Sequence, residues 1–158
     1  MPQINLPAFL AQRLRASGEA LYAAGAKMPP ERLSWHPTTE GNAGRDAADQ
    51  LAECAYLNNW AAGAFRAGSL PAFDKDAYKA QTQALTSSGE ALTQLQQGTE
   101  NLAAAVEAFP AEKLGETFTS PFTQAPSTWA EFAHFFYWNN VYHEGQVNYI
   151  QVLYGDMS

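Results

Sequence analysis

Cysteine is almost absent from this sequence, since Cys54 is the only one in 158 residues. A single cysteine excludes an intrachain disulfide and any zinc site that is built on several cysteines. Such sparse use of cysteine is typical of proteins from a reducing compartment. We therefore expect a cytoplasmic protein rather than a disulfide-stabilised secreted one.

Basic residues are scarce as well. Nine Lys and Arg stand against sixteen Asp and Glu, which gives a formal net charge of −7. An acidic chain repels phosphate, and the sequence has no basic patch or arginine stripe that would offset this repulsion. We expect neither nucleic acid nor an anionic membrane surface as a partner.

Long apolar runs are also missing. No stretch approaches the roughly 20 apolar residues that a membrane-spanning helix needs. The first residues, MPQINLPAFLAQRLR, lack the basic head and apolar segment of a secretory signal. The length of 158 residues and the hydrophobic fraction of 46% predict one globular domain over residues 1–158.

Apolar residues at helical spacing predict four helical regions. These cover approximately residues 5–25, 46–66, 74–109 and 128–154. Loops rich in proline, glycine and threonine separate them, and no segment has strand alternation of convincing length. The sequence thus predicts an all-α fold, a four-helix bundle.

Capping residues support these boundaries. Asn5 and Asp46 are expected N-caps of the first two helices, and Thr128 begins the last helix. Thr128 with Glu131 has the spacing of a capping box. The run Ser87–Glu90 has the same spacing, and it predicts a break within the third region.

Two polar residues interrupt the core stripe of the last helix. Phe132, Phe136 and Ile150 mark the stripe, and Asn139 and His143 lie within it, one turn apart. Residues four apart share a helix face, so both side chains can reach one point. A buried polar group without a partner costs about 1–3 kcal/mol, so this pair needs partners.

The second helix carries a carboxylate that could meet this pair. Glu53 lies at the edge of an apolar stripe that contains Tyr56 and Trp60. If this face packs on the last helix, a carboxylate, an imidazole and an amide converge, and such oxygen and nitrogen donors are ligands for a divalent metal. The wall of the resulting pocket is predicted to contain five residues: Tyr56, Leu57, Trp60, Tyr142 and Gln146.

Purely structural interpretations of the same residues remain open. A histidine in an apolar stripe, such as His143, is more often a hydrogen-bonded core residue than a ligand, by roughly three to one. Glu53 could face solvent, and Asn139 could bond to backbone. Asp49 suits a first-turn acid that complements the helix dipole, and Cys54 suits an unreactive buried thiol.

Three segments resemble the DinB-like family. The stretch FFYWNNVYHEGQVNYIQVLYGD is similar to the family's final helix, which typically carries a His-x-x-x-His pair followed by Gly-Gln and an aliphatic residue. The residues that match are His143, Gly145, Gln146 and Val147. ERLSWHP resembles the loop after the family's first helix, and RDAADQLAECAYLNNW resembles its second helix. The resemblance spans most of the chain.

The resemblance implies a four-helix bundle, often dimeric, that holds a divalent metal through three histidines. Some members of the family are thiol-dependent transferases or isomerases. His143 lies at the position of the second histidine of the pair. Asn139 replaces the first histidine of the pair, and Glu53 replaces the histidine that the family's second helix supplies. A Glu, Asn and His set suits a harder ion than zinc, or a weaker site.

Two functions are compatible with these residues. One is a metal-dependent hydrolase or thiol-dependent transferase that acts on a small molecule, with one divalent ion on Glu53, Asn139 and His143. Glu53 and His143 would be its catalytic residues, with Glu53 as a general base if no metal binds. The alternative is a non-catalytic small-molecule-binding bundle without a metal.

Two expectations concern partners. The resemblance, together with an aromatic fraction of 13%, predicts a homodimer. A protein whose main role is to bind other proteins is disfavoured, because no exposed apolar stripe is distinguishable from the core stripes in the sequence.

Overall fold

The computed structural model describes residues 4–39 and 42–155, and these are predominantly helical, as predicted. The helices are α1 (Leu6–Ala26), α2 (Ala47–Ala67), α3 (Lys75–Ser88), α4 (Ala91–Glu107) and α5 (Trp129–Tyr154). Helices α1, α2, α4 and α5 form a four-helix bundle, and the shorter α3 packs mainly on α2.

The loops contain short elements that the sequence analysis did not predict. Two antiparallel hairpins pair β1 (Thr38–Thr39) with β2 (Asn42–Ala43) and β3 (Thr117–Thr119) with β4 (Pro126–Thr128). Single 3-10 turns cover Pro30–Arg32 and Ala111–Lys113. Strands of two or three residues are too short to show alternation, which is why their segments were predicted as loops.

The predicted helix starts are confirmed. Asn5 and Asp46 each accept a hydrogen bond from a backbone N–H in the first turn of their helix. Thr128 and Glu131 form a reciprocal capping box at the start of α5, which ends at Gly155 in the left-handed conformation. These local signals therefore set the boundaries of three of the bundle helices.

The break in the third helical region is also confirmed, but its cause differs from the prediction. Helix α3 ends at Ser88 and is followed by Gly89, whose φ is 73°. Glu90 is the N-cap of α4, so Ser87 lies inside α3 and does not cap α4. Glycine adopts this left-handed conformation without the steric penalty of a Cβ atom, and it ends α3.

The core has two hydrophobic clusters, one towards each end of the bundle. The first is rich in aromatic rings, and its buried aromatic members are Phe65, Phe109, Trp129, Phe132 and Phe136. The second is aliphatic, and its larger buried members are Leu21, Leu51, Leu95, Val147 and Ile150. The buried face of α5 thus agrees with the predicted stripe.

A buried layer of polar side chains separates the two clusters. It has one member from each bundle helix: Ser17, Asn58, Thr99 and Asn140. Asn58 Nδ2 donates to Thr99 Oγ1 (3.2 Å) and to Asn140 Oδ1 (3.3 Å). Asn140 Nδ2 donates to Ser17 Oγ (3.2 Å). Because a shift of any helix would leave these groups unpaired in the core, the layer fixes the relative positions of the four helices.

The expectation that no apolar stripe is exposed was wrong, because one apolar side of helix α5 faces solvent. Trp138, Tyr142, Tyr149 and Val152 are all about half exposed or more. Apolar residues cover both the inner and the outer side of this helix, so the outer stripe could not be told apart from the core stripe by periodicity alone. In the described part of the chain, no helix has the length and apolarity needed to cross a bilayer.

Candidate functional site

Glu53 of α2 and His143 of α5 are in direct contact. His143 Nε2 lies 3.2 Å from Glu53 Oε1, and Nδ1 lies 3.0 Å from Gln50 Oε1. His143 is only 2% exposed. Gln50 and Glu53 are three residues apart and so share the face of α2 that meets α5. The imidazole is therefore held on both sides, and it donates to both acceptors when both ring nitrogens carry protons.

Arg45 binds the other oxygen of the same carboxylate. Its Nη1 lies 2.7 Å from Glu53 Oε2, and its Nε donates to Asp49 Oδ2. Arg45 lies directly before the N-cap Asp46, so Asp49 and Glu53 follow it one and two helical turns later. A guanidinium thus bridges two carboxylates of α2, and a continuous chain of contacts joins Arg45, Glu53 and His143.

Opposing effects act on the ionisation of Glu53. Burial by itself would raise the pKa of this carboxyl, but the hydrogen bond from His143 and the charges of His143 and Arg45 outweigh it. The result is a pKa of about 2. A carboxylate that is so weakly basic is poorly suited to accept a proton at neutral pH.

Asn139 does not bond to Glu53 or His143. Its Nδ2 instead donates to Cys54 Sγ at 3.5 Å. Cys54 is fully buried, and burial raises the pKa of its thiol well above the ordinary value. The thiol is therefore unreactive and serves as a packing and hydrogen-bonding partner. Of the three residues predicted to converge, Glu53 and His143 are in contact. Asn139 bonds instead to Cys54, the residue that follows Glu53 in the sequence.

The predicted wall residues on α2 point in different directions. Leu57 is buried in the aromatic-rich cluster. The Trp60 ring packs edge-on against Phe73 and Phe132, with centroid distances of 5.5 and 6.1 Å. The Tyr56 ring packs against Tyr78 of α3 at 5.3 Å. Leu57 and Trp60 thus belong to the core, and Tyr56 to the contact between α2 and α3.

The two predicted wall residues on α5 flank His143 without enclosing a space. The Tyr142 ring lies 5.3 Å from the His143 ring, but its side chain extends to the outer side of α5, where it is about half exposed. Gln146 is half-buried, and within the described residues its Oε1 is buried without a hydrogen-bond partner.

The open space beside Glu53 lies between α2 and α3, not between α2 and α5 as predicted. It is a cavity of about 400 Å³. Its lining combines charged and neutral polar side chains, namely Arg45, Asp49, Glu53, Tyr78, Lys79, Thr82, Gln83, Thr86 and Ser87. None of the five predicted wall residues lines it. The reason is that the buried His143 and Gln50 fill the space between α2 and α5.

Local signals could have found part of this site. Arg45 and Asp49 form an i, i+4 ion pair, and Gln50 lies three residues from Glu53 on the same helix face. Both of these spacings can be read from the sequence. Tyr78 gave no such signal because it comes from another helix. Burial and the negative charge of Glu53 raise the pKa of Tyr78 to about 12. This hydroxyl is a permanent hydrogen-bond donor at neutral pH.

The residues as arranged do not fit a divalent metal ion. In the part of the chain that the structure describes, no group of three or more His, Cys, Asp or Glu side chains is placed to hold one. His143 contacts one oxygen of Glu53, and Arg45 binds the other. A cation at this carboxylate would have to displace a guanidinium of the same sign of charge. The remaining histidines, His36 and His134, are exposed and lie apart from this cluster.

No protein-family model and no curated protein matches the sequence, but solved structures match the fold. YfiT from Bacillus subtilis, described as a probable metal-dependent hydrolase with an unusual four-helix bundle topology, aligns with a TM-score of 0.73 at 16% identity. The alignment covers 98% of this chain and 91% of YfiT. The architecture is therefore a DinB-like four-helix bundle, as the sequence resemblance implied.

Two further structures share this architecture. The colibactin self-resistance protein ClbS, seen in complex with double-stranded DNA, aligns with a TM-score of 0.62 at 14% identity over 90% of this chain and 94% of ClbS. An uncharacterised protein from Clostridium difficile 630 aligns with a TM-score of 0.64 at 12% identity over 99% of both chains. At these identities the likeness concerns the fold and not the activity.

Proposed function

We propose that this chain is a DinB-like protein that binds a polar small molecule in the cavity between α2 and α3 without a metal ion. Arg45 then supplies the positive charge beside Glu53 and His143. The observation that carries this proposal is the contact of 2.7 Å between Arg45 Nη1 and Glu53 Oε2. A guanidinium so placed neutralises the carboxylate that a metal would need.

The cavity suits a neutral or zwitterionic ligand. Arg45 and Lys79 balance Asp49 and Glu53 in formal charge, and hydroxyl and amide groups supply the rest of the polar lining. A volume of about 400 Å³ lies at the lower end of the range of small-molecule sites. The low pKa of Glu53 favours a role in binding over one in proton transfer.

Blocking this cavity tests the proposal. A panel of zwitterionic amino acids and neutral sugars is expected to include a molecule that raises the melting temperature of the wild-type protein by binding the native state. Gln83→Trp, an exposed substitution in the cavity wall, should abolish that shift. Ala80→Trp is the matched control, because it is also exposed on α3 but does not line the cavity. A shift that survives Gln83→Trp, or a panel without effect, would count against this site.

The second candidate function is a metal-dependent hydrolase, which the description of YfiT favours. It requires Arg45 to leave Glu53, and the Asn139 amide to turn from Cys54 towards His143. The bound ion would hold and activate a water molecule for attack on the substrate. Glu53, Asn139 and His143 are its ligands in this candidate.

Metal binding by designed variants separates the two candidates. We expect protein purified without a metal-affinity step to contain well below one equivalent of any divalent metal by elemental analysis. Asn139→His alone should gain little affinity for a divalent metal, because Arg45 still forms its ion pair with Glu53. Arg45→Met combined with Asn139→His should bind zinc or nickel at least about tenfold more tightly than wild type in calorimetry, since it frees a carboxylate and rebuilds the histidine pair.

Arg66→Met is the control, because Arg66 is exposed and bonds to Asn101 rather than to the cluster. Two results would favour the metal-dependent candidate instead. One is a full equivalent of metal in the wild-type protein, and the other is tight binding by Asn139→His while Arg45 is intact.

For nucleic acid binding and for cellular location we propose what the sequence predicts. ClbS binds double-stranded DNA, but contacts to phosphate dominate DNA affinity, and a net charge of −7 opposes them. We therefore propose that DNA is not a ligand of this chain. A cytoplasmic location remains a proposal based on the use of cysteine.

A further inference from the structure

We propose that the outer side of α5 binds a second copy of this chain, with the two α5 helices crossing antiparallel at Gly145. This inference is independent of the cavity ligand. We call the surface the outer face of α5, and it consists of Trp138, Val141, Tyr142, Gly145, Tyr149, Val152 and Leu153. The homodimer that the sequence predicted thereby acquires a defined interface and a symmetry.

These seven residues form one continuous stripe. At 3.6 residues per turn they lie within about 120° around the helix and extend over about 22 Å along it. The six with side chains are between 39% and 62% exposed. The Trp138 and Tyr142 rings stack with centroids 5.2 Å apart, so part of the surface is already ordered in the single chain.

The buried side of α5 lies opposite this stripe. The opposite side of α5 supplies its buried residues, among them Phe136, Asn140, His143, Val147 and Ile150. A single copy therefore leaves about half of the apolar outer face exposed to water. Contiguous exposed apolar surface of this kind marks interaction sites in soluble proteins.

Charge favours a second copy as the partner. The chain carries a net charge of −7, so most approaches of one copy to another are repulsive. The outer face has no charged member, and Glu144, the one Asp, Glu, Lys or Arg of α5 beyond Glu131, lies off the stripe. Two copies can thus meet on this surface without bringing like charges together.

Gly145 points to a close crossing of two helices. Glycine within a helix costs roughly 1 kcal/mol relative to alanine. A Cβ at Gly145 would meet nothing within 4 Å, so packing inside the chain does not require glycine here. Gly145 lies at the midpoint of the stripe, where a two-fold axis would place it against its own copy. The separation of two packed helices depends on the side chains at their contact, and glycine allows the closest approach.

The same two-fold axis pairs the rest of the stripe. An antiparallel crossing at Gly145 places Trp138 opposite Val152 of the second copy, and Val141 opposite Tyr149. Trp138 and Tyr149 thus each meet an aliphatic side chain, in the self-complementary manner of two-fold interfaces.

The area is sufficient for the apolar centre of a dimer interface. Three aromatic and three aliphatic side chains at about half exposure offer on the order of 500 Å² per copy. Two copies together bury on the order of 1,000 Å², about the minimum that a biological interface needs, before any polar rim is added.

Sedimentation equilibrium tests the interface. Wild type is expected to have twice the chain mass of 17.2 kDa at micromolar concentration. Gly145→Leu and Tyr149→Glu should each weaken dimerisation at least tenfold and leave the helical circular dichroism unchanged. Gly63→Leu is the matched control, because Gly63 is exposed within α2 and a Cβ there also meets nothing within 4 Å.

Disulfide crosslinking tests the geometry, since Cys54 is buried and does not compete. In an antiparallel crossing, Gly145→Cys lies beside its own copy and should crosslink rapidly under mild oxidation. Leu153→Cys would be about 24 Å from its copy and should not crosslink. A wild-type monomer at all concentrations, a dimer unaffected by both interface variants, or crosslinking at position 153 alone would overturn the proposal.

Discussion

Glu53→Gln is expected to lower the free energy of unfolding by up to about 3 kcal/mol at pH 7, because the pKa of Glu53 falls from 4.5 to about 2 in the folded protein. The carboxylate is only 17% exposed, so water screens its interactions with Arg45 and His143 weakly. A folded pKa below the unfolded one contributes stability that is fully present above about pH 4.5 and is lost as the pH falls towards 2. The deficit of the variant should therefore shrink over this range.

Urea unfolding of wild type and variant between pH 3 and pH 8 measures this difference. Glu100→Gln is the control, because Glu100 forms an ion pair with Arg15 at the surface and its side chain is 60% exposed. Such pairs contribute at most about 1 kcal/mol. Equal losses in both variants, or a Glu53→Gln deficit that does not change with pH, would contradict the chain of contacts from Arg45 to His143.

Phe132→Ala is expected to cost about 3–5 kcal/mol, a large share of the stability of a domain of this size. Phe132 is 3% exposed. Its ring contacts six others, with centroid distances from 4.9 to 6.3 Å: Trp60, Phe65, Phe118, Phe122, Trp129 and Phe136. Truncation removes this burial and leaves a cavity that rigid neighbouring rings cannot fill.

Chemical denaturation of Phe132→Ala measures the loss, with Phe9→Ala as the control. Phe9 is half exposed at the start of α1, so its truncation should change the stability by about 0.5 kcal/mol or less. If Phe132→Ala were no more harmful than Phe9→Ala, the aromatic-rich cluster would not be the rigid core that its geometry indicates.

Several features of the site could be predicted from single helices. The stripe of α5 correctly identified Asn139 and His143 as buried, because burial of one helix face follows from periodicity. The contact between Glu53 and His143 depended on a further assumption, namely that the two faces meet. Asn139 shows the limit of such reasoning, because its amide reaches Cys54, a residue that the sequence analysis had assigned to packing alone.

The poor fit of Glu53, Asn139 and His143 to a metal ion has a similar explanation. The residue types of Glu53, Asn139 and His143 suggested three metal ligands. The spacing within α5 allowed two of them, Asn139 and His143, to reach the same point. Whether a carboxylate is available to a metal depends on what else approaches it. Arg45 lies eight residues before Glu53, directly ahead of the N-cap of α2, and its long side chain reaches the carboxylate along the first two turns of the helix. The sequence contained the ion pair of Arg45 with Asp49, but it did not reveal that the same guanidinium also binds Glu53.

The sequence by itself determined the helical class, the helix starts at Asn5, Asp46 and Thr128, and the buried face of α5. These follow from interactions within a few residues, namely capping hydrogen bonds and the period of 3.6. Only the tertiary structure decided the position of the cavity, the polar layer across four helices, and which apolar side of α5 faces solvent. Each of these depends on side chains from helices that are distant in sequence, and periodicity within one helix carries no information about the neighbour it meets.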